Sequence, residues 1–153
     1  MCPVQTSMPL DLENLQSAIG SLDQALGVFQ VFEEPGSVPT MGGTQGAWRR
    51  VVHSGVIKHF EFTYEPSSLF IKRWLEANAS PNAGDGVTRR ELFRLGAENR
   101  LIDDVDRWMR YHQARNRTSH AYRQATASEV RAVVPPLLED SRLLLAALEA
   151  RND

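Results

Sequence analysis

The sequence predicts an all-α fold, an antiparallel up-and-down bundle of four to five helices. Three observations predict it. Apolar residues recur every three or four positions in the long segments, as they do on one face of a helix. Two Thr-x-x-Glu patterns, beginning at Thr88 and Thr126, resemble the capping box that starts helices. No segment alternates apolar and polar residues for long enough to predict a strand.

Composition places the chain among ordinary globular proteins. Its 153 residues are 42% hydrophobic and carry a formal net charge of −2, which predicts a single domain, residues 1–153, with a sizeable core. Near-neutral charge argues against a general nucleic-acid coat, so RNA binding would need a local basic patch. A lone cysteine, Cys2, excludes a disulfide framework, and no His/Cys cluster has metal spacing, so we expect no metal or cofactor.

The first residues do not resemble a secretion signal, and no run of about eighteen apolar residues predicts a membrane span. We therefore expect a cytoplasmic protein without membrane contact.

The first two helices are predicted from Leu10 to about Phe32 and from about Ala47 to Ala77. Glu33 to Gly46, with two prolines and four glycines, is predicted to be a mobile loop. Pro66 should kink the second helix beside Tyr64, because proline removes a backbone hydrogen bond. The core candidates are Leu12, Leu15, Ile19, Leu22, Leu26, Phe29, Val51, Ile57, Phe60, Tyr64, Phe70, Ile71 and Trp74.

The Thr-x-x-Glu patterns start two further helices. Thr88 opens a short third helix that ends at about Asn99, and Thr126 with Glu129 opens the last helix. Pro135 and Pro136 should bend or split that last helix near Val134.

The fourth helix carries the most informative stretch, which runs from Ile102 to Tyr122. Asp103 and Asp104 can accept hydrogen bonds from the first helical turn, and an apolar stripe through Trp108 follows. Continued by threes and fours, the stripe meets polar side chains where a core-facing helix would carry leucine or valine. These positions are His112, Arg115, Asn116 and Ser119.

Arg115 and His120 are the candidate catalytic residues. A guanidinium offers a fixed fork of donors to phosphate and an imidazole exchanges a proton near neutral pH, which suits phosphoryl chemistry without a metal. They lie about 140° apart on an unbroken helix, so they meet only if the helix ends near Thr118 and Ser119, or if a second copy supplies one of them. The alternative is an ordinary helix end with basic residues near its negative pole.

Two motifs add a family resemblance. Arg115 to Tyr122 reads Arg-Asn-Arg-Thr-Ser-His-Ala-Tyr and matches the Arg-x4-His-x-Tyr signature of HEPN domains. Phe60 to Glu65 resembles the second hallmark of one branch, the nucleotidyltransferase substrate-binding proteins encoded beside a minimal nucleotidyltransferase. The resemblance spans roughly Leu10 to Leu148 and implies a bundle that pairs as a homodimer. Pro66 departs from it, because the family usually has an apolar, helix-forming residue there.

The resemblance also implies residue roles. His120 would act as general acid or base on RNA, and Arg115 would stabilise charge on the phosphate. Tyr122 would contact RNA or orient His120, and it matches the tyrosine to which a transferase partner attaches AMP in related toxin–antitoxin pairs. The substrate-binding candidates are Asn116, Arg117, Ser119, Tyr122 and Glu61.

The second helix offers two carboxylates, Glu61 and Glu65, one turn apart. One interpretation is that a carboxylate from this helix orients Arg115 or His120 across the bundle. The other is a solvated face of intrahelical charge pairs. We favour the solvated face for Glu65 and leave both interpretations open for Glu61. His53, His59 and His112 are predicted to be surface or packing histidines.

Three functions remain open. The first is a metal-independent endoribonuclease toxin, as in related HEPN proteins, paired with the minimal nucleotidyltransferase. The second is a non-catalytic nucleotide- or substrate-binding subunit of a split nucleotidyltransferase; the chain has no Gly-Ser followed by paired aspartates, the metal-binding signature of the transferase half. The third is a scaffolding bundle, which leaves the polar end of the fourth helix unexplained.

Overall fold

The computed structural model describes residues 8–34, 42–79, 83, 85–121 and 123–152. In these ranges it contains five α-helices, one 3₁₀ turn and no strand, which confirms the predicted all-α bundle. The helices are α1 (Glu13–Phe32), α2 (Gln45–Asn78), α3 (Arg89–Glu98), α4 (Val105–Arg117) and α5 (Gln124–Ala150), and the 3₁₀ turn is Thr118–His120.

The long helix α2 is central, because it contacts the other four helices. Most predicted core residues are buried, including Leu15, Phe60 and Ile71. Val51 is 65% exposed, so its prediction as a core residue is wrong. The buried stripe of α2 passes through Val56 and Phe60, which are one turn apart, and Val51 lies off that stripe.

Two predicted caps are confirmed and one is wrong. The Thr88 hydroxyl accepts from the backbone N–H of Glu91 at 3.2 Å, and the Asp104 carboxylate accepts from that of Arg107 at 3.0 Å. Thr126 lies inside α5, which begins at Gln124 without a side-chain cap. Helical hydrogen bonding has already started there, because the N–H of Ala127 bonds the carbonyl of Arg123.

The prolines do not interrupt their helices. α5 is continuous through Pro135 and Pro136, so the helix is not split near Val134, and the bend expected there as the alternative remains a prediction. Buried residues on both sides, such as Val130 and Leu137, hold the helix in the core although backbone bonds are lost. α2 likewise continues through Pro66, and the kink expected there remains a prediction.

The first long loop is shorter than predicted. α2 begins at Gln45, because the Thr44 hydroxyl caps it by accepting from the N–H of Ala47 at 3.1 Å. Residues 35–41 lie outside the described residues, and so does the prediction of a mobile loop there. None of the helices described combines the length and the apolar character that a membrane crossing needs.

Candidate functional site

The C-terminal end of α4 tightens into a 3₁₀ turn. The backbone N–H and the hydroxyl of Thr118 both donate to the carbonyl of Arg115, the hydroxyl at 2.8 Å. Thr118 is buried, whereas Ser119 and His120 are exposed. The helix therefore ends near Thr118, and this is the condition under which Arg115 and His120 of one chain can share a site.

The guanidinium of Arg115 is anchored on two sides. Its Nε donates to Oε1 of Glu65 at 2.6 Å, and its Nη1 donates to the Thr118 hydroxyl at 3.0 Å. The side chain remains one third exposed. Its Nη2 donates no hydrogen bond to any residue that the structure describes, so this end can donate to a phosphate oxygen.

Glu65 is the carboxylate that reaches across the bundle. Glu65 is exposed, as predicted, but its ion-pair partner is not on its own helix, because the packing of α2 beside α4 brings Glu65 to Arg115 in the last turn of α4. Glu61, one turn earlier on α2, accepts instead from Lys58 at 3.3 Å. Among the described residues no hydrogen bond or ion pair joins Glu61 to Arg115.

A second contact between the two motifs joins Tyr64 to His112. The Tyr64 hydroxyl lies 2.8 Å from Nδ1 of His112, and Asn116 lies 3.3 Å from Nε2 of that ring. Burial lowers the pKa of His112, the positive charge of Arg89 lowers it further, and Glu65 opposes both. Burial also raises the pKa of Tyr64. The pair is therefore neutral near pH 7, so that one ring nitrogen of His112 accepts a hydrogen bond and the other carries the proton.

His112 is the residue that sequence reasoning missed. Its position on the polar continuation of the α4 stripe was the available signal, but the prediction of a surface or packing histidine gave it no partner. The partner is Tyr64, 48 residues earlier in the chain.

The other candidate residues lie around this end of α4. Asn116 is exposed beside His112, and Arg117 is exposed and ion-paired with Glu129 of α5. Ser119 and His120 are exposed in the 3₁₀ turn. Tyr122 lies outside the described residues. In the part of the chain that is described, no three His, Cys, Asp or Glu side chains cluster as a metal site would require.

This surface offers an anchored guanidinium with one open end, and an imidazole at the end of the adjacent turn. Because both are partly or fully exposed, an extended polyanion can reach them without opening the core. Such a pair can bind a phosphodiester and transfer protons around it.

Comparisons with known proteins show relatives of this chain in sequence and in fold. The chain is 38% identical over 104 residues to the probable ribonuclease HepT of Haemophilus influenzae. The aligned region covers 65% of this chain and 68% of that protein. It also resembles the solved structure of HI0074 from Haemophilus influenzae, described as the fold of a substrate-binding domain of a nucleotidyltransferase. The TM-score is 0.80 and the identity 29%, over 91% of this chain and 99% of that one.

The family model described as "Nucleotidyltransferase substrate binding protein like" matches residues 10–150. This match spans both motifs and all five helices. The chain therefore belongs to the nucleotidyltransferase substrate-binding, HEPN-type family.

Proposed function

We propose that this protein is a metal-independent endoribonuclease, the toxin of a toxin–antitoxin pair whose other member is a minimal nucleotidyltransferase. The observation that carries the proposal is the Arg115 guanidinium, fixed by Glu65 and Thr118 with its Nη2 end open, one short turn before the exposed His120. The name of the Haemophilus influenzae ribonuclease relative supports the same chemistry.

In this mechanism His120 accepts the proton of a ribose 2′-hydroxyl, whose oxygen attacks the adjacent phosphorus. The bond from phosphorus to the 5′-oxygen breaks, that oxygen takes up a proton from water, and His120 returns its own proton to the solvent. The products are a 2′,3′-cyclic phosphate and a free 5′-hydroxyl. Arg115 stabilises the negative charge that gathers on the phosphate oxygens in the transition state.

The active unit is proposed to be a homodimer in which the ends of the two α4 helices face each other and form one basic cleft for single-stranded RNA. Asn116, Arg117 and Ser119 line that cleft in this proposal. The protein is proposed to act in the cytoplasm.

Tyr122 is the proposed control point. The nucleotidyltransferase partner would attach AMP to its hydroxyl, and the added phosphate and nucleoside would occlude the cleft by charge and by volume.

The test is to incubate the purified protein with mixed cellular RNA in EDTA and to compare it with Arg115→Ala and His120→Ala. The intact protein is expected to cleave RNA, and both variants are expected to be inactive while keeping their helical circular dichroism. Arg90→Ala is the matched control, because Arg90 is an exposed α3 arginine whose ion pair with Asp106 is also exposed. Cleavage by His120→Ala at the rate of the unchanged protein would refute the mechanism.

A second candidate function is a non-catalytic substrate-binding subunit of a split nucleotidyltransferase. The likeness to the HI0074 structure favours it, since that protein is described as such a domain. Absence of cleavage by the unchanged protein, together with its co-purification with the transferase, would select this function.

A further inference from the structure

A cavity of about 540 Å³ opens at the end of the bundle where α1 ends and where α2 and α5 begin. Its guanidinium groups come from Arg49 and Arg50 of α2 and from Arg131 of α5, and His53 of α2 also lines it. Ala121, which follows the 3₁₀ turn, also lines it, so the cavity adjoins the His120 end of the site described above. Of the residues predicted for RNA cleavage, none that the structure describes lines it.

The cavity has an excess of uncompensated positive charge. Arg49, Arg50 and Arg131 form no ion pair with a carboxylate of any residue that the structure describes, whereas Arg107 and Arg115 each pair with an acid on another helix. Among the described residues of the lining, Glu33 alone carries a carboxylate, and its Oε1 is 3.2 Å from Nε2 of His53. Guanidinium groups that surround one cavity repel each other, and a bound anion would relieve that repulsion.

An aromatic ring completes the lining. Phe29 is half-buried, and its ring centroid lies 5.2 Å from that of His53 at an interplanar angle of 52°. The guanidinium of Arg131 is 6.0 Å from the Phe29 centroid. A ring beside guanidinium groups suits a ligand that joins a flat base to phosphate, because bases stack on aromatic side chains and guanidinium groups bind phosphate oxygens.

The size of the cavity favours a free nucleotide over a nucleic-acid strand. The volume lies within the range of roughly 300–1,000 Å³ typical of small-molecule sites. Three guanidinium groups are also more than a single phosphate group needs for charge-assisted hydrogen bonds, so they suit a chain of two or three phosphates better. We propose that this cavity binds a free nucleoside polyphosphate, with its phosphates on Arg49, Arg50 and Arg131 and its base against Phe29.

The proposal does not depend on ribonuclease activity, and the test is therefore equilibrium binding. Isothermal titration with ATP, AMP, adenosine and inorganic tripolyphosphate, in EDTA, separates the contributions of base and phosphate. ATP is expected to bind saturably at one site per chain and more tightly than AMP or tripolyphosphate, and adenosine is expected to bind weakly or not at all.

The variants locate the site. Arg49→Gln and Arg131→Gln are each expected to weaken ATP binding roughly tenfold. Phe29→Leu should weaken ATP but not tripolyphosphate. Arg73→Gln is the matched control, because Arg73 is an exposed arginine of α2 that does not line the cavity. Arg49 is exposed, so Arg49→Gln removes no buried packing. This variant therefore tests the site even if Arg131→Gln does not fold.

Three results would overturn the proposal. One is the absence of saturable ATP binding. Another is tripolyphosphate binding as tight as that of ATP together with no effect of Phe29→Leu, which would mark a site for simple anions. The third is ATP binding that Arg115→Ala abolishes and that Arg49→Gln and Arg131→Gln leave unchanged, which would place the nucleotide on the motif surface.

Discussion

The ion pair of Glu65 with Arg115 positions a side chain more than it stabilises the fold. The Glu65 side chain is 53% exposed and that of Arg115 33%, and pairs of this kind contribute only about 0–1 kcal/mol. Its importance lies in the direction of the guanidinium, because the bonds to Glu65 and Thr118 engage Nε and Nη1 and leave the Nη2 end open.

Glu65→Gln should therefore lower the activity and leave the stability nearly unchanged. We expect the free energy of unfolding in urea to change by less than about 1 kcal/mol. If the proposed ribonuclease is correct, the cleavage rate should fall at least roughly tenfold, because the guanidinium loses its charged anchor. Glu76→Gln, which removes a carboxylate paired with Lys72 on the same helix, is the control and should retain the rate. An unchanged cleavage rate in Glu65→Gln would show that Glu65 does not position Arg115.

His112 should make stability depend on pH. Its pKa in the folded protein lies below its ordinary value of 6.5, because it is buried and near Arg89, although Glu65 acts in the opposite direction. The unfolded chain therefore binds more protons than the folded one as the pH falls through 6.5 toward the folded pKa. The stability that the neutral imidazole contributes is present above pH 6.5, and it is lost as the pH falls from 6.5 to the pKa of folded His112.

We expect the urea-derived free energy of unfolding to decrease from about pH 7.5 to about pH 5.5, and to decrease less in His112→Gln. Asn116→Ala is the control, because it removes the amide beside Nε2 but keeps the imidazole, and it should retain the full decrease. An identical decrease in His112→Gln and in the unchanged protein would assign the pH dependence to other groups.

At the scale of elements, a buried polar cluster joins α4 to α5. Asp140 of α5 is 7% exposed and accepts two bonds from Arg107, at 2.9 and 2.8 Å, and a third from the hydroxyl of Tyr111. Burial and the bond to Asp140 both raise the pKa of Tyr111, so its hydroxyl stays a donor. This cluster joins the helix that carries Arg115 to α5.

Asp140→Ala should destabilise the protein by about 2–4 kcal/mol, because it leaves the Tyr111 hydroxyl buried without its acceptor and removes the buried one of the two acids that pair with Arg107. Tyr111→Phe should cost less, about 0.5–1.5 kcal/mol, since the pair of Asp140 with Arg107 remains. Urea unfolding measures both.

The control is Asp106→Ala, whose ion pair with Arg90 joins two exposed side chains and should contribute less than about 1 kcal/mol. If Asp140→Ala were no less stable than Asp106→Ala, the cluster would add nothing beyond an exposed pair.

At the scale of the whole molecule, the proposed dimer leads to a mixing experiment. If each site takes Arg115 from one protomer and His120 from the other, Arg115→Ala and His120→Ala are each inactive, but a mixed dimer contains one intact site. Refolding the two variants together should then restore about a quarter of the normal cleavage, because half of the dimers are mixed and each has one site of two.

Sites built within one protomer would give no recovery on mixing. Light scattering supplies the control, since a dimer has twice the 17.2 kDa mass of the chain. A monomeric protein that cleaves RNA would contradict the shared cleft.

The helices were predictable because their causes are local. The caps at Thr88 and Asp104 and the apolar stripes act over one or two turns, so the sequence predicted them close to their true positions. Local rules were wrong where packing competed with them. α5 already includes Thr126 and continues through its prolines, although the Thr-x-x-Glu pattern and the prolines predict otherwise. The reason is that one face of α5 is buried in the core, and this packing stabilises the helix.

The sequence by itself predicted a bundle of four to five helices, the polar end of α4 and the family to which the chain belongs. The tertiary structure alone decided that Glu65 reaches Arg115, 50 residues away, that His112 bonds Tyr64, and that Phe29 and Arg131 line one cavity. The physical reason is that such contacts depend on how packed helices are shifted and rotated against each other. Side-chain packing sets those offsets, and spacing along a single helix does not record them.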